Sequence, residues 1–230
     1  MKKIIYWLLW LFSILLIIFG GLGIWLNNSN TQASMINKTQ QHIMKQITPQ
    51  SINQAKNKNS NFKADTTKEA KTSTVIYNRL HNKNANAIGI MSIPEIKMTN
   101  PIFNGYGDNG NYLALGACTM KPNQVMGQGN YALAGHYMQG NTVFHSLSKA
   151  QKGMYVYITN LKHIYQYQID NVTTINKYDV GVINNITNQK TITLITCIQL
   201  NETPYRTLVQ GHLTKVMSAN QQNLNQYNLN

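Results

Sequence analysis

The sequence predicts an all-β domain, a barrel or a sandwich, carried behind one membrane anchor and a polar stalk. Three observations point there. From about Asn86 onward short β-prone runs follow one another: "AIGIMSIPEI", "NYALAGHYM", "MYVYITN", "HIYQYQID", "TITLITCI" and "YRTLVQGHL", parted by clusters of Gly, Pro, Asn and Asp. Many short strands at close spacing make a barrel or sandwich rather than a parallel α/β sheet. In "HIYQYQI" the larger residues His163, Tyr165, Tyr167 and Ile169 alternate with Ile164, Gln166 and Gln168, the period of a strand. Finally, the 230-residue chain opens on 23 residues without a charge, from Ile4 to Leu26.

That first segment, residues 1–26, is long enough to span a bilayer, about 34 Å as a helix against a hydrocarbon core of about 30 Å. Tyr6, Trp7 and Trp10 near one end and Trp25 at the other suit the two interfaces. The rival is a cleaved signal peptide, for which "NTQAS" offers a small-residue site around Ala33. The apolar region is too long for that, since signal peptides carry about 7–15 such residues. Lys2 and Lys3 precede the span and the next basic residue after it is Lys38. This asymmetry keeps the N-terminus in the cytoplasm and places the rest outside the cell.

Residues 27–85 are dominated by Asn, Gln, Lys, Ser and Thr and hold nine Lys or Arg against Asp65 and Glu69. Over half of the formal charge of +13 therefore sits in this juxtamembrane linker. The excess either attracts anionic lipid or an anionic wall polymer, or simply keeps a solvated linker soluble. The composition reads as a tether with two local exceptions. Ile36, Ile43, Met44 and Ile47 recur at helical spacing before Pro49, and Thr66 with Glu69 forms a capping box ahead of Val75 and Leu80. The β-rich domain then spans 86–217, with "TVFHSLSKAQKG" as its one interior helix, ending near Gly153. Residues 218–230 form a polar tail expected to fray. A nucleic-acid partner is excluded by the outward-facing topology and by the lack of a basic helix, finger or aromatic RNA-binding motif.

The chemistry gathers around "TITLITCIQLNETPYRTLVQG", residues 191 to 211. The chain has 18 Lys but only two Arg, Arg79 and Arg206, so an arginine nine positions after Cys197 is not compositional noise. A thiol works as a thiolate, and a neighbouring fixed cation favours that form. If Cys197 ends one strand and Arg206 begins the next, an antiparallel pair brings them together. Acyl transfer also needs a proton donor for the leaving amine, usually a histidine. His136 ends "YALAGH" behind two small residues that permit close approach, and His145 is its main competitor.

"TLITC" followed by an arginine, with "ALAGH" some sixty residues upstream, resembles the sortases, cysteine transpeptidases of Gram-positive surfaces. Thr193, Leu194, Thr196 and Cys197 fill the family pattern TLxTC. "LGACTMKPNQVMGQGNYALAGHYM" is similar to the class A, housekeeping branch, and a single anchor with no C-terminal span fits that branch as well. The likeness covers about residues 86–216.

It implies a closed eight-stranded β-barrel, with Cys197 ending the seventh strand and Arg206 opening the eighth. It implies cleavage of LPXTG-like sorting signals of surface proteins between Thr and Gly, through a thioester, and transfer to the amine of a lipid-linked peptidoglycan precursor at the cell membrane. Cys197 would be the nucleophile, His136 the acid and base, Arg206 the clamp on substrate and oxyanion, and Thr196 a support of the oxyanion site.

Cys118 departs from the family, where a small residue is usual. It is a candidate near-site or redox position, through a disulfide with Cys197 whose formation would silence the enzyme. No metal and no cofactor are expected, because the five acidic residues scattered over the barrel region, of seven in the chain, make a poor calcium cage. The alternatives are another cell-wall cysteine enzyme or a non-catalytic wall-binding module. An L,D-transpeptidase would carry an S-x-G-C motif close after its histidine, and the chain has none.

Overall fold

The computed structural model describes residues 2–58, 60–63, 87–138, 140, 142–201 and 203–230. Eight strands close into a barrel in the order β1-β2-β3-β4-β7-β8-β6-β5. They are β1 (Ala87–Ile93), β2 (Met98–Phe103), β3 (Ala117–Thr119), β4 (Asn130–Ala134), β5 (Tyr155–Thr159), β6 (His163–Asn176), β7 (Thr191–Cys197) and β8 (Tyr205–Ser218). Two neighbouring pairs are parallel, β2 with β3 and β4 with β7. Parallel neighbours need a long crossover, and the β4-to-β7 connection contains β5 and β6.

Strand faces follow the period of two. Tyr131 and Leu133 on β4 pair with Ile192 and Leu194 on β7, and Val209 on β8 stands opposite Leu194. All five are buried and belong to the core. On β6 the observed alternation departs from the simple pattern. Ile164, Tyr167 and Ile169 are the buried residues while His163 and Tyr165 are only partly so. The β6–β8 register shifts between Gln166 and Tyr167. The extra residue there is Thr214, on β8; the extra residue of β6 itself is Asp170, at the second shift, between Ile169 and Asn171.

Ahead of the barrel lie α1 (Lys2–Asn27), α2 (Ser29–Gln46) and α3 (Pro49–Lys56). Within α1, Lys3–Trp25 is long and apolar enough to cross a membrane, and none of it is buried. Asn28 caps α2 by accepting from the Asn30 N–H at 2.9 Å. Thr48 and Ser51 close a reciprocal capping box on α3, with Pro49 in the first turn.

The stretch read as a tether is thus two helices docked on the barrel from residue 29 to 56. Ile36, Ile43, Ile47, Ile52 and Ala55 are buried and join the barrel's core cluster. The helical spacing of Ile36 and Ile43 belongs to α2, and a glutamine completes its stripe. Ile36, Gln40, Ile43 and Ile47 follow helical spacing, and the Gln40 side-chain amide donates to Asn100 Oδ1 at 2.7 Å and to the Leu115 carbonyl at 2.8 Å. Asn61 then accepts from the Tyr106 N–H at 2.7 Å. A Cβ on Gly105, at φ +73°, would meet the Asn61 carbonyl at 2.6 Å. The capping box at Thr66 and Glu69 lies outside the described residues.

Two further expectations are corrected. The interior helix shrinks to a 3-10 turn, His145–Lys149, because Val143 adopts φ 51° and bridges back to Tyr137. The tail does not fray. After Ser218 it forms α4 (Gln221–Gln226), capped by Asn220, and Tyr227 stacks on Tyr157 with ring centroids 4.2 Å apart. The Ser92 hydroxyl donates to the Tyr227 carbonyl, and Leu229 is fully buried. Two apolar side chains in a polar tail are enough to hold it when a matching surface exists.

Candidate active site

Cys197 is the last residue of β7, and its register partner on β8 is Arg206. Directly opposed residues of an antiparallel pair point to the same face with Cβ atoms about 4.5–5.5 Å apart. Residues 198–204 make the connection. The Arg206 Nη1 donates to the Thr203 carbonyl at 2.5 Å and to the Tyr205 carbonyl at 2.9 Å. The guanidinium is therefore anchored to its own loop by one nitrogen, leaving the donors of Nε and Nη2 for a ligand.

His136 arrives from the other side. Ala134 on β4 pairs with Ile195 on β7, and the Gly135 N–H continues the ladder to the Ile195 carbonyl at 3.2 Å. His136 lies two residues beyond the end of β4, at the same end of this parallel pair as Cys197. The backbone of His136 is fixed on both sides, its N–H on the Leu113 carbonyl at 2.9 Å and its carbonyl accepting from Phe144 at 3.2 Å. Gly135 has to be small, since a Cβ there would stand 2.9 Å from the Phe144 ring. His136, Cys197 and Arg206 are each partly buried. A histidine just past β4, a thiol ending β7 and a guanidinium opening β8 thus fall at one end of three neighbouring strands.

The remaining candidates are placed differently. His145 packs its ring on Tyr137 at 4.6 Å, on the hairpin that follows His136. His212 pairs with Asp170 at 2.9 Å on the surface. Thr196 points the opposite way from Cys197. It is 2% exposed, and its hydroxyl finds no hydrogen-bond partner among the described residues.

Cys118 is fully buried on β3, and burial pushes its thiol pKa well up. It pairs with Ala134 on β4, which pairs with Ile195 on β7. Two strand spacings, about 9.5 Å, therefore separate it from the Cys197 strand, beyond the reach of a disulfide at about 7 Å. Both thiols are free, so the anticipated Cys118–Cys197 bridge does not fit this fold. Among the described residues no three His, Cys, Asp or Glu side chains converge as a metal site.

Residues 91–214 match the model of the sortase domain family. The chain belongs to the sortase family. It is 32% identical over 212 residues to a sortase A of Streptococcus agalactiae, covering 90% of this chain and 84% of that one. It is 38% identical over 141 residues to a sortase A of Listeria monocytogenes, covering 61% and 62% of the two chains. The solved Listeria monocytogenes sortase A superposes with a TM-score of 0.58 at 37% identity, over 61% of this chain and 96% of that one. A pilus-related sortase C of Group B Streptococcus shares the fold, with a TM-score of 0.54 at 21% identity. The sortase is accordingly a cell-wall cysteine transpeptidase, and its apolar α1 is the candidate membrane anchor.

Sequence reasoning did not find the polar contacts that join Lys121, Asn130, Asn185 and Thr193 near the starts of β4 and β7. Only Thr193 gave a signal, as the first residue of the TLxTC pattern.

Proposed function

We propose that this sortase cleaves LPXTG-like sorting signals between Thr and Gly and transfers the threonyl end to the amine of a lipid-linked peptidoglycan precursor. The observation that supports the reading is the pairing of Cys197 with Arg206 across β7 and β8, with His136 just past the neighbouring end of β4. Cys197 Sγ attacks the threonine carbonyl carbon, and the carbonyl oxygen becomes an oxyanion. The donors Arg206 has left grip both the peptide carbonyl and the developing charge. The C–N bond then breaks as His136 gives its proton to the departing glycine amine. A thioester remains. His136, now neutral, takes the proton of the incoming amine as it attacks, and the thiolate leaves.

Thr196 supports the oxyanion site from beneath, through the backbone it shares with Cys197, since its own hydroxyl lies on the other face. Residues 1–26 anchor the enzyme with its N-terminus in the cytoplasm, and 86–217 carry the chemistry outside.

The test is incubation of the full chain in detergent with an LPXTG-type peptide and a glycine-based amine. The expected products are the released glycine fragment and a peptide joined to the amine, with a thioester adduct on Cys197 seen by mass spectrometry. No cleavage, or an adduct that maps elsewhere, overturns the reading.

A further inference from the structure

Asn100 interrupts an apolar face of β2, between Met98 and Ile102, both members of the core cluster. It is 1% exposed. An amide buried in such a place costs free energy unless both of its ends are satisfied. Here both are. Oδ1 accepts from the Gln40 side-chain amide at 2.7 Å, and Nδ2 donates to the Val143 carbonyl at 3.0 Å.

That carbonyl is one end of the peptide group joining Val143 to Phe144. Its other end is the Phe144 N–H, which donates to the His136 carbonyl at 3.2 Å. Asn100 and the main chain of His136 are therefore linked through a single rigid plane. The same segment grips the residues on either side of the histidine. Val143 bridges to Tyr137, and the fully buried Phe144 ring closes on Gly135, where a Cβ would stand 2.9 Å from it.

The plane is held at a cost. Val143 adopts φ 51°, a left-handed conformation that a β-branched residue enters only where its surroundings force it. This turn sends the Val143 carbonyl to the buried side, where an acceptor needs a donor from the protein itself. A hydrocarbon at position 100 would strand that oxygen. The backbone at Val143 would then relax towards an ordinary φ and carry the Phe144 N–H away from His136.

We infer that Asn100 is a positioning residue for His136: by holding the Val143–Phe144 peptide group it fixes the backbone from which the imidazole reaches the leaving amine. The part played by His136 rests on the function proposed above; the hold on its backbone does not. Proton transfer needs donor and leaving nitrogen within about 2.6–3.2 Å, and a misplacement of about 1 Å costs about 10²-fold. A loosened His136 therefore fails at the step that breaks the C–N bond. Attack by the thiolate persists.

The experiment compares the full-length enzyme in detergent with Asn100→Leu, Asn100→Ser and Gln40→Ala. Each is given two substrates in single turnover, an LPXTG-type peptide and the same peptide with a thioester in place of the Thr–Gly amide. In both, Cys197 Sγ bonds to the threonine carbonyl carbon. The amide nitrogen must gain a proton to leave, whereas the thioester releases a thiolate that needs none. For Asn100→Leu, acylation by the amide falls at least about tenfold while acylation by the thioester stays within about twofold. Asn100→Ser, smaller and still polar, moves the amide rate the same way by less and serves where Asn100→Leu fails to fold. Gln40→Ala loses stability yet keeps the parent's ratio of the two rates, because the bond from Asn100 to Val143 does not pass through Gln40.

Amide hydrogen exchange at Phe144 quickens in both Asn100 variants, measured against Gln40→Ala so that lost stability is not mistaken for a loosened turn. That reading stands even where the parent enzyme cleaves no LPXTG peptide. Such a failure sinks the proposed substrate, and exchange at Phe144 then decides alone. Amide and thioester rates that keep the parent's ratio in a folded Asn100 variant overturn the inference. So does exchange at Phe144 no faster than in Gln40→Ala.

Discussion

Along β1 the barrel wall is covered by the chain itself, whereas along β4, β7 and β8 it ends at a partly exposed thiol. All seven residues of β1 are buried, with α3 packed upon the strand. The C-terminal tail closes the other end of that wall through Ser92 and Tyr227. On the second side burial holds through Thr196 and then relents at Cys197, Ile198 and Arg206. Two parts of one sheet thus differ in what completes them. Where the chain's own helices cover a wall, burial is traded for stability. Where they do not, the rim is left for a substrate, and the residues there are chosen for chemistry.

The comparison is sharpened first at the thiol. Cys197→Ala should reduce cleavage of an LPXTG-type peptide to below a few per cent of the parent, while the melting temperature stays within about 2 °C, as expected for a partly exposed rim position. Retained turnover would move the nucleophile elsewhere and break the contrast between the two walls.

Arg206→Lys should cost at least about tenfold in kcat/KM, roughly 1.4 kcal/mol. Lysine keeps the charge but loses the planar fork, and it cannot hold two loop carbonyls while presenting further donors in a fixed direction. Steady-state kinetics beside Arg206→Ala decides the matter. Near-native activity for Lys with a dead Ala variant would reduce the role to simple electrostatics.

On the covered wall the expected effects fall on stability. Ile36→Ala should lower unfolding free energy by about 2–5 kcal/mol. Gln40→Ala should cost about 1–3 kcal/mol by stranding the Asn100 and Leu115 acceptors. Denaturant melts of an enzyme cut before Asn28 would measure both, with kcat/KM of the folded protein unchanged. Removing residues 1–80, which a flexible tether would tolerate, should lower the midpoint because it uncovers the Ile36 and Ile52 surface. A full-stability truncation would restore the tether view.

The smallest effect at neutral pH, and a growing one in alkali, comes from buried tyrosines. Burial, helped by the neighbouring Cys118, pushes Tyr106 up to about 12. Burial, with Tyr227, Glu95 and Tyr155 beside it, pushes Tyr157 to about 12 as well. Burial holds Tyr131 and Tyr167 higher still. The folded values exceed the unfolded value near 10. The contribution is therefore fully present below pH 10 and declines through about pH 12, as the unfolded chain releases protons more readily. Phenolate absorbance and loss of near-ultraviolet circular dichroism should rise together in that window. Phenolate formation well ahead of unfolding would show the tyrosines to be accessible.

Much of the site was legible because its parts are strictly local. Cys197 and Arg206 face one another across a hairpin, so a spacing of nine residues already carries the pairing. His136 was weaker, since nothing in "ALAGH" says that β4 lies beside β7; that adjacency is a parallel pairing across two intervening strands. The hydrogen bonds from Lys121 and Asn130 to the loop between β6 and β7 were invisible for the same reason. Lys121, Asn130 and Asn185 come from three separate loops or strand ends, and none is unusual by type.

By itself the sequence determined the long apolar first helix, the strand-rich domain and the pairing of Cys197 with Arg206, because charge, period and spacing are properties of neighbours along the chain. Only the tertiary structure decided that the polar N-terminal stretch docks, that the tail is held and that Cys118 stands out of reach of Cys197. Each of those depends on a surface that exists only once the barrel has closed. A buried glutamine is a cost until Asn100 and the Leu115 carbonyl are in place to receive it.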